Sequence, residues 1–94
     1  MKKVKFIVSG RVQGVFFRKY TQQKALSLGI VGEARNMPDG SVQVIAYASG
    51  HAIDKLENWL WQGSPMAKVS RVERHDDIPA EASDIDKQSG FYTK

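Results

Sequence analysis

The feature that most constrains this chain is a hydrophobic period that switches twice from that of a strand to that of a helix. Lys3–Ser9 alternates, with Val4, Phe6 and Val8 set against Lys3 and Lys5 and with Ile7 on the second face; that is strand periodicity. Gly10-Arg11-Val12-Gln13-Gly14-Val15 breaks the pattern as a loop punctuated by two glycines. From about Phe16 to Leu28 the residues are good helix formers, and Phe17, Thr21, Ala25 and Leu28 share one face. Gly29 then stands where a left-handed C-terminal cap is expected. Val31–Asn36 reads as a short strand ended by Met37-Pro38-Asp39-Gly40, whose Pro and Asp-Gly suit a tight hairpin. Ser41–Ala48 follows as a strand, with Val42, Val44, Ala46 and Ala48 facing one way and Gln43, Ile45 and Tyr47 the other.

The second switch comes at Ser49-Gly50, which starts a helix over His51–Gln62 with Ile53, Leu56 and Leu60 as its core stripe and Trp59 beside it. Gly63-Ser64-Pro65 stops it. Lys68–His75 alternates again as a fourth strand, with Val69 inward and Val72 as the second inward candidate. The stretch 78–90 is polar, acidic and turn-like, and Phe91-Tyr92-Thr93 can add a short terminal edge strand. The order β-α-β-β-α-β is the split βαβ, ferredoxin-like arrangement. The expected architecture is therefore α+β, an antiparallel sheet of four to five strands with both helices on one face. At 94 residues the chain is a single domain over 1–94.

Composition removes several classes of chemistry. There is no cysteine, which excludes disulfides, thiolate metal sites and a Cys nucleophile. The N-terminal Met1-Lys2-Lys3-Val4-Lys5-Phe6-Ile7-Val8 begins like a signal peptide, but Lys5 interrupts its apolar run and Ser9-Gly10-Arg11 closes it too early. No stretch approaches the roughly 20 apolar residues of a membrane helix. The expectations are a cytoplasmic location, no membrane partner and a monomer, since no long exposed apolar stripe is readable. Net charge is +4, but it is unevenly spread: eight Lys and Arg through Met37 stand against the single acid Glu33, and Asp76–Asp86 holds five acids and no base. Such an N-terminal half fits an anionic ligand, a phosphorylated small molecule or a nucleic acid, or else an unevenly charged solvated surface.

The candidate site is Gly10–Arg18, which leads from the first strand into the first helix. Loop N–H groups together with the unpaired N–H groups of a helix N-terminus form an anion pocket. Glycine lets main chain approach a ligand closely. Arg18, in the first helical turn, offers a planar and permanently charged fork to phosphate or carboxylate oxygens. No Lys-Ser/Thr pair follows Gly14, so this is not a P-loop. From the residues alone, a phosphate pocket and a tight βα turn carrying a surface Arg both stay open, and Asn36 is a strand-end amide.

Gly10-Arg11-Val12-Gln13-Gly14-Val15-Phe16-Phe17-Arg18 resembles the signature of the acylphosphatase family. Leu28-Gly29-Ile30-Val31-Gly32 and Arg35-Asn36-Met37-Pro38-Asp39-Gly40-Ser41-Val42 resemble its second signature, and Trp59–Val69 is similar to its stretch from second helix to fourth strand. The likeness runs in order from about Phe6 to Val72. It implies a ferredoxin-like fold and hydrolysis of an acyl phosphate to a carboxylate and inorganic phosphate, with no metal and no cofactor. It further implies that Arg18 binds the substrate phosphate together with main-chain amides of Arg11, Val12, Gln13, Gly14, Val15, Phe16 and Phe17. Asn36 is implied to orient the attacking water. Two stretches depart from the family pattern: Glu33-Ala34, where aromatic and branched residues are usual, and the tail beyond Val72.

Other polar and aromatic residues read more plainly. His51 and His75 are surface or capping residues, Asp76-Asp77 solvated acids, and Trp59 and Trp61 partial core residues on different faces of one helix. Ser9, Thr21 and Ser27 have no triad partners. Arg11 and Arg35 flank the proposed pocket and read as surface charge ahead of a role in steering anions. The rival function is an RNA-binding module of the same element order, which needs aromatic residues on its central strands for base stacking. Ser41-Val42-Gln43-Val44-Ile45-Ala46-Tyr47 offers one aromatic and no basic-Gly-aromatic motif, so no nucleic-acid partner is expected.

Overall fold

A computed structural model of the chain describes residues 1–76 and 90–94. The elements are β1 (Lys2–Arg11), α1 (Phe17–Ser27), β2 (Val31–Asn36), β3 (Val42–Ala48), α2 (Gly50–Gln62), β4 (Lys68–His75) and β5 (Phe91–Thr93). They form one five-stranded sheet in the order β4-β1-β3-β2-β5. The four longer strands are antiparallel neighbours, whereas β5 joins the edge parallel to β2. The sheet is therefore mixed rather than antiparallel throughout: the expected terminal strand is present, but it runs alongside β2 and not against it. The acidic, turn-like stretch expected over 78–90 lies, except for Gly90, outside the described residues, as does Asp77.

The register turns the alternation of the sequence into a core. Phe6 stands opposite Val44, and Val44 opposite Ala34, so the three strands present one apolar row after another to the same face. Val4, Phe6, Val8, Val42, Val44, Ala46 and Ala34 are buried there with Phe17 and Ala25 of α1 and Ile53, Leu56 and Leu60 of α2. Burying each large apolar side chain contributes roughly 1.5–3 kcal/mol. Trp59 packs against this core, its ring centroid 6.0 Å from that of Phe17, while Trp61 is exposed on the outer face of the same helix. Ser49 caps α2 by accepting a hydrogen bond from the Ala52 N–H at 3.2 Å. Val69 and Val72 lie partly buried against the core, as expected.

One inward position on β4 carries charge. Arg74 stands opposite Phe6, and its guanidinium reaches under α2 to Asp54 at 2.9 Å and Glu57 at 2.7 Å, and back to Asp76 at 2.8 Å. Asp76 also lies 3.3 Å from the Lys2 ammonium. It is therefore an ion-paired residue and not a merely solvated one. The hydrogen bonds from Arg74 hold its carboxyl below the usual range. His51 and His75 are exposed.

Candidate active site

The sheet ends where the loop begins, and Gly10 makes that junction possible. Register against β4 slips between Ser9 and Gly10, and Gly10 has φ +119°. A Cβ there would sit 2.2 Å from the Lys68 carbonyl oxygen, so only glycine lets the two backbones approach this closely. Beyond it the loop is anchored on both sides. The Gln13 amide donates from Nε2 to the Met37 carbonyl at 2.8 Å and to the Ser41 carbonyl at 2.9 Å, tying the loop to the β2–β3 hairpin. On the other side the buried Ser64 hydroxyl donates to the Val15 carbonyl at 2.8 Å. The hairpin is itself fixed by Asp39, which accepts from the Ser41 N–H at 2.9 Å and hydroxyl at 2.6 Å. Those two bonds, the hydroxyl's first, hold the Asp39 carboxyl below the usual carboxylate range.

The loop delivers its last residue, Phe16, to the N-cap of α1 with φ 59° and ψ 25°, and no side chain caps this end. The N–H groups of the first turn have no intrahelical acceptor in such a position and carry the positive end of the helix dipole. This end of the helix borders a cleft of about 360 Å³ lined by Val12, Gly14, Phe16, Phe17, Arg18, Lys19, Asn36 and Thr93. Two cations and no acid are in this lining, so the cleft favours an anion. Arg18 is steadied by a hydrogen bond from Nη1 to the Lys94 main-chain oxygen at 2.6 Å.

Asn36 enters the cleft through strand parity. Gly32 and Ala34 are buried on the helix side of β2, and Asn36 is the next residue on that side, opposite Val42. Its Oδ1 is fully buried and accepts no hydrogen bond among the described residues. A buried acceptor left open costs about 1–3 kcal/mol, and the residue that carries it lines the cleft together with Arg18. An amide provides both an acceptor and a donor without titrating. Among the described residues no three His, Cys, Asp or Glu side chains gather as a metal site.

The structure thus brings Val12, Gly14, Phe16, Phe17, Arg18 and Asn36 to one cleft. The side chains of the rest of the loop lie elsewhere. Gln13 points its amide at the hairpin, Val15 is buried in the core, and Arg11 is exposed at the end of β1, paired with Lys68 of β4. Arg35 lies outside the lining with Glu33 at 3.5 Å. Glu33-Ala34 also lies outside it: Ala34 is buried in the core and Glu33 pairs outward. Lys19 and Thr93 were not singled out from the sequence. Thr93 follows Phe91 by two residues, and burial of Phe91 puts both on the helix side of β5, a signal that parity would have supplied.

A family model described as Acylphosphatase matches residues 4–91. An acylphosphatase of Xanthomonas euvesicatoria pv. vesicatoria (strain 85-10) is 55% identical over 74 residues, which make up 79% of this chain and 84% of that relative. Among solved structures, an acylphosphatase from Bacillus subtilis superposes with a TM-score of 0.88 at 29% identity, covering 100% of this chain and 99% of that one. One from Coxiella burnetii gives a TM-score of 0.87 at 33% identity, covering 99% and 92%. No helix among the described residues is long and apolar enough to cross a membrane. By both sequence and structure, the chain belongs to the acylphosphatase family.

Proposed function

We propose that this protein hydrolyses acyl phosphates, releasing a carboxylate and inorganic phosphate without a metal ion. Arg18 and the N–H groups of the loop and first helical turn hold the phosphoryl oxygens. Asn36 holds the attacking water in line with the bond that breaks. The observation that carries this reading is that Asn36 and Arg18 line one cleft at the uncapped N-terminus of α1.

The chemistry asks little else of the protein. Water oxygen bonds to phosphorus, and the bond from phosphorus to the acyl oxygen breaks with its electron pair leaving on the carboxylate. That is a good leaving group, so catalysis reduces to positioning and to stabilising charge on the phosphoryl oxygens. The water's proton passes to a phosphoryl oxygen, which explains why no His or carboxylate is needed beside Asn36. The same reading takes the protein to act as a cytoplasmic monomer on small phosphorylated molecules and not on nucleic acid. The outward positions of β3 support the last point, since Gln43, Ile45 and Tyr47 give one aromatic platform at most.

Phosphate release from benzoyl phosphate in the presence of EDTA tests the proposal. Removing one positioned group of this kind costs on the order of 10²–10³ in kcat, and Arg18→Ala and Asn36→Ala should each lose that much. Inorganic phosphate should still inhibit Asn36→Ala but not Arg18→Ala or Arg18→Lys. Equal inhibition of wild type and Arg18→Ala would overturn the role of Arg18.

A further inference from the structure

Phe16 is placed where folding alone would not put a phenylalanine. The residue is 72% exposed, and among the described residues it is the only non-glycine with a positive φ. A bulky aromatic residue is disfavoured in that backbone region, and glycine would occupy it freely. An isolated exposed apolar residue is ordinary on a protein surface. One held in a strained conformation at the edge of an anion cleft is not, because strain of this kind gathers at ligand-binding positions.

The cleft has more room than its anion needs. About 360 Å³ lies at the lower end of the ~300–1,000 Å³ of small-molecule sites, more than a phosphoryl group and one water fill. In-line displacement puts the leaving oxygen on the side of phosphorus away from the water. With the water on Asn36 at the end of β2, the acyl group is directed away from β2. The lining on that side comes from the loop and the start of α1: Val12, Phe16 and Phe17, with Lys19 beside them. Val12 and Phe17 are almost fully buried, so Phe16 supplies the exposed apolar surface.

Resting on the acyl phosphate reading above, we infer that the Phe16 ring is the contact for the acyl group. The site accordingly prefers acyl phosphates whose acyl group is aromatic or bulky and apolar. An aromatic acyl group meets the ring edge-to-face or offset-stacked, a contact that a small acyl group cannot make. Phe16 then determines specificity through its side chain.

The test compares kcat/KM for benzoyl phosphate and acetyl phosphate in wild type, Phe16→Ala, Phe16→Gly and Phe16→Tyr. Phe16→Gly is included because glycine accepts the left-handed backbone, so a failure of Phe16→Ala to fold does not end the test. The benzoyl-to-acetyl ratio should fall about tenfold in Phe16→Ala and Phe16→Gly, mainly through KM for benzoyl phosphate, and return in Phe16→Tyr. A role confined to loop geometry would lower both substrates together and leave the ratio alone. A ratio within about threefold of wild type in the folded small-residue variants overturns the inference, as does a Phe16→Tyr variant no better than Phe16→Gly. A wild-type protein that hydrolyses neither compound removes the acyl phosphate reading and this inference with it. Turnover with an unmoved ratio removes the inference alone.

Discussion

Replacing Gln13 by alanine separates the loop from the hairpin without touching the cleft lining. The amide makes two neutral hydrogen bonds, to the carbonyls of Met37 and Ser41. Both acceptors keep another partner: the Met37 carbonyl accepts from the Gly40 N–H at 3.1 Å and the Ser41 carbonyl from the Met37 N–H at 2.8 Å. Neither is left orphaned, so the cost is that of two net hydrogen bonds at about 1 kcal/mol each, or about 2 kcal/mol in all. In a domain of this size that lowers Tm by roughly 8–16 °C. Gln13→Glu should cost more at neutral pH, because an ionised carboxylate has no proton to donate and faces two carbonyl oxygens. Its folded pKa is then raised above ~4.3, so its extra penalty is absent below that pH and develops as pH rises through the folded value. Urea unfolding at pH 7 and pH 4, with free energies from linear extrapolation, measures both effects. A loss below about 0.5 kcal/mol in Gln13→Ala, or a Gln13→Glu variant that matches Gln13→Ala at pH 7, refutes the anchoring role of Gln13.

Three further outcomes follow from neighbouring contacts. Ser64→Ala removes the buried donor to the Val15 carbonyl and should cost about 1–3 kcal/mol in the same unfolding assay. Gly10→Ala places a Cβ 2.2 Å from the Lys68 carbonyl oxygen at φ +119°, and should cost about 3 kcal/mol or more, read by calorimetry. Asp39 has a lowered folded pKa because of its bonds from Ser41. Its contribution is therefore present above the unfolded value of ~3.9 and is lost as pH falls through the folded one. In Asp39→Asn the acid limb of stability against pH should be shallower, and an unchanged limb would remove the assignment.

Much of the architecture is legible in the alternation itself. Val31–Asn36 and Lys68–His75 have the expected bounds, since turn residues mark them off: Gly29 and Met37-Pro38-Asp39-Gly40 on either side of the first, Gly63-Ser64-Pro65 before the second. Strand direction is not encoded in that period, which is why the parallel pairing of β5 could not be read from Phe91-Tyr92-Thr93. Arg74 hid for a related reason: a guanidinium on an inward row looks like a break in the pattern until Asp54 and Glu57 are seen above it. Within the site, the two glycines and Arg18 mark the loop. Asn36 carries no such mark, because the residues that set its side of the strand, Gly32 and Ala34, are too small to announce a buried face.

The hydrogen bond between Arg18 and Lys94 also gives the cleft a place in the order of folding. It joins residues near opposite ends of the described chain, and the entropy of closing so long a loop must be met before that contact can help. β5 brings only three residues to the edge, held by the Gln22 amide on the Phe91 carbonyl at 2.7 Å and the Lys94 N–H on the Ala34 carbonyl at 2.9 Å. Phe91 alone of the three is buried in the core, and exposing one such side chain costs roughly 1.5–3 kcal/mol, below the cost of global unfolding. Undocking of β5 would leave the other four strands paired and take the Lys94 oxygen from Arg18. The tether of Arg18 is then limited by the hold of one margin of the sheet rather than by melting of the core.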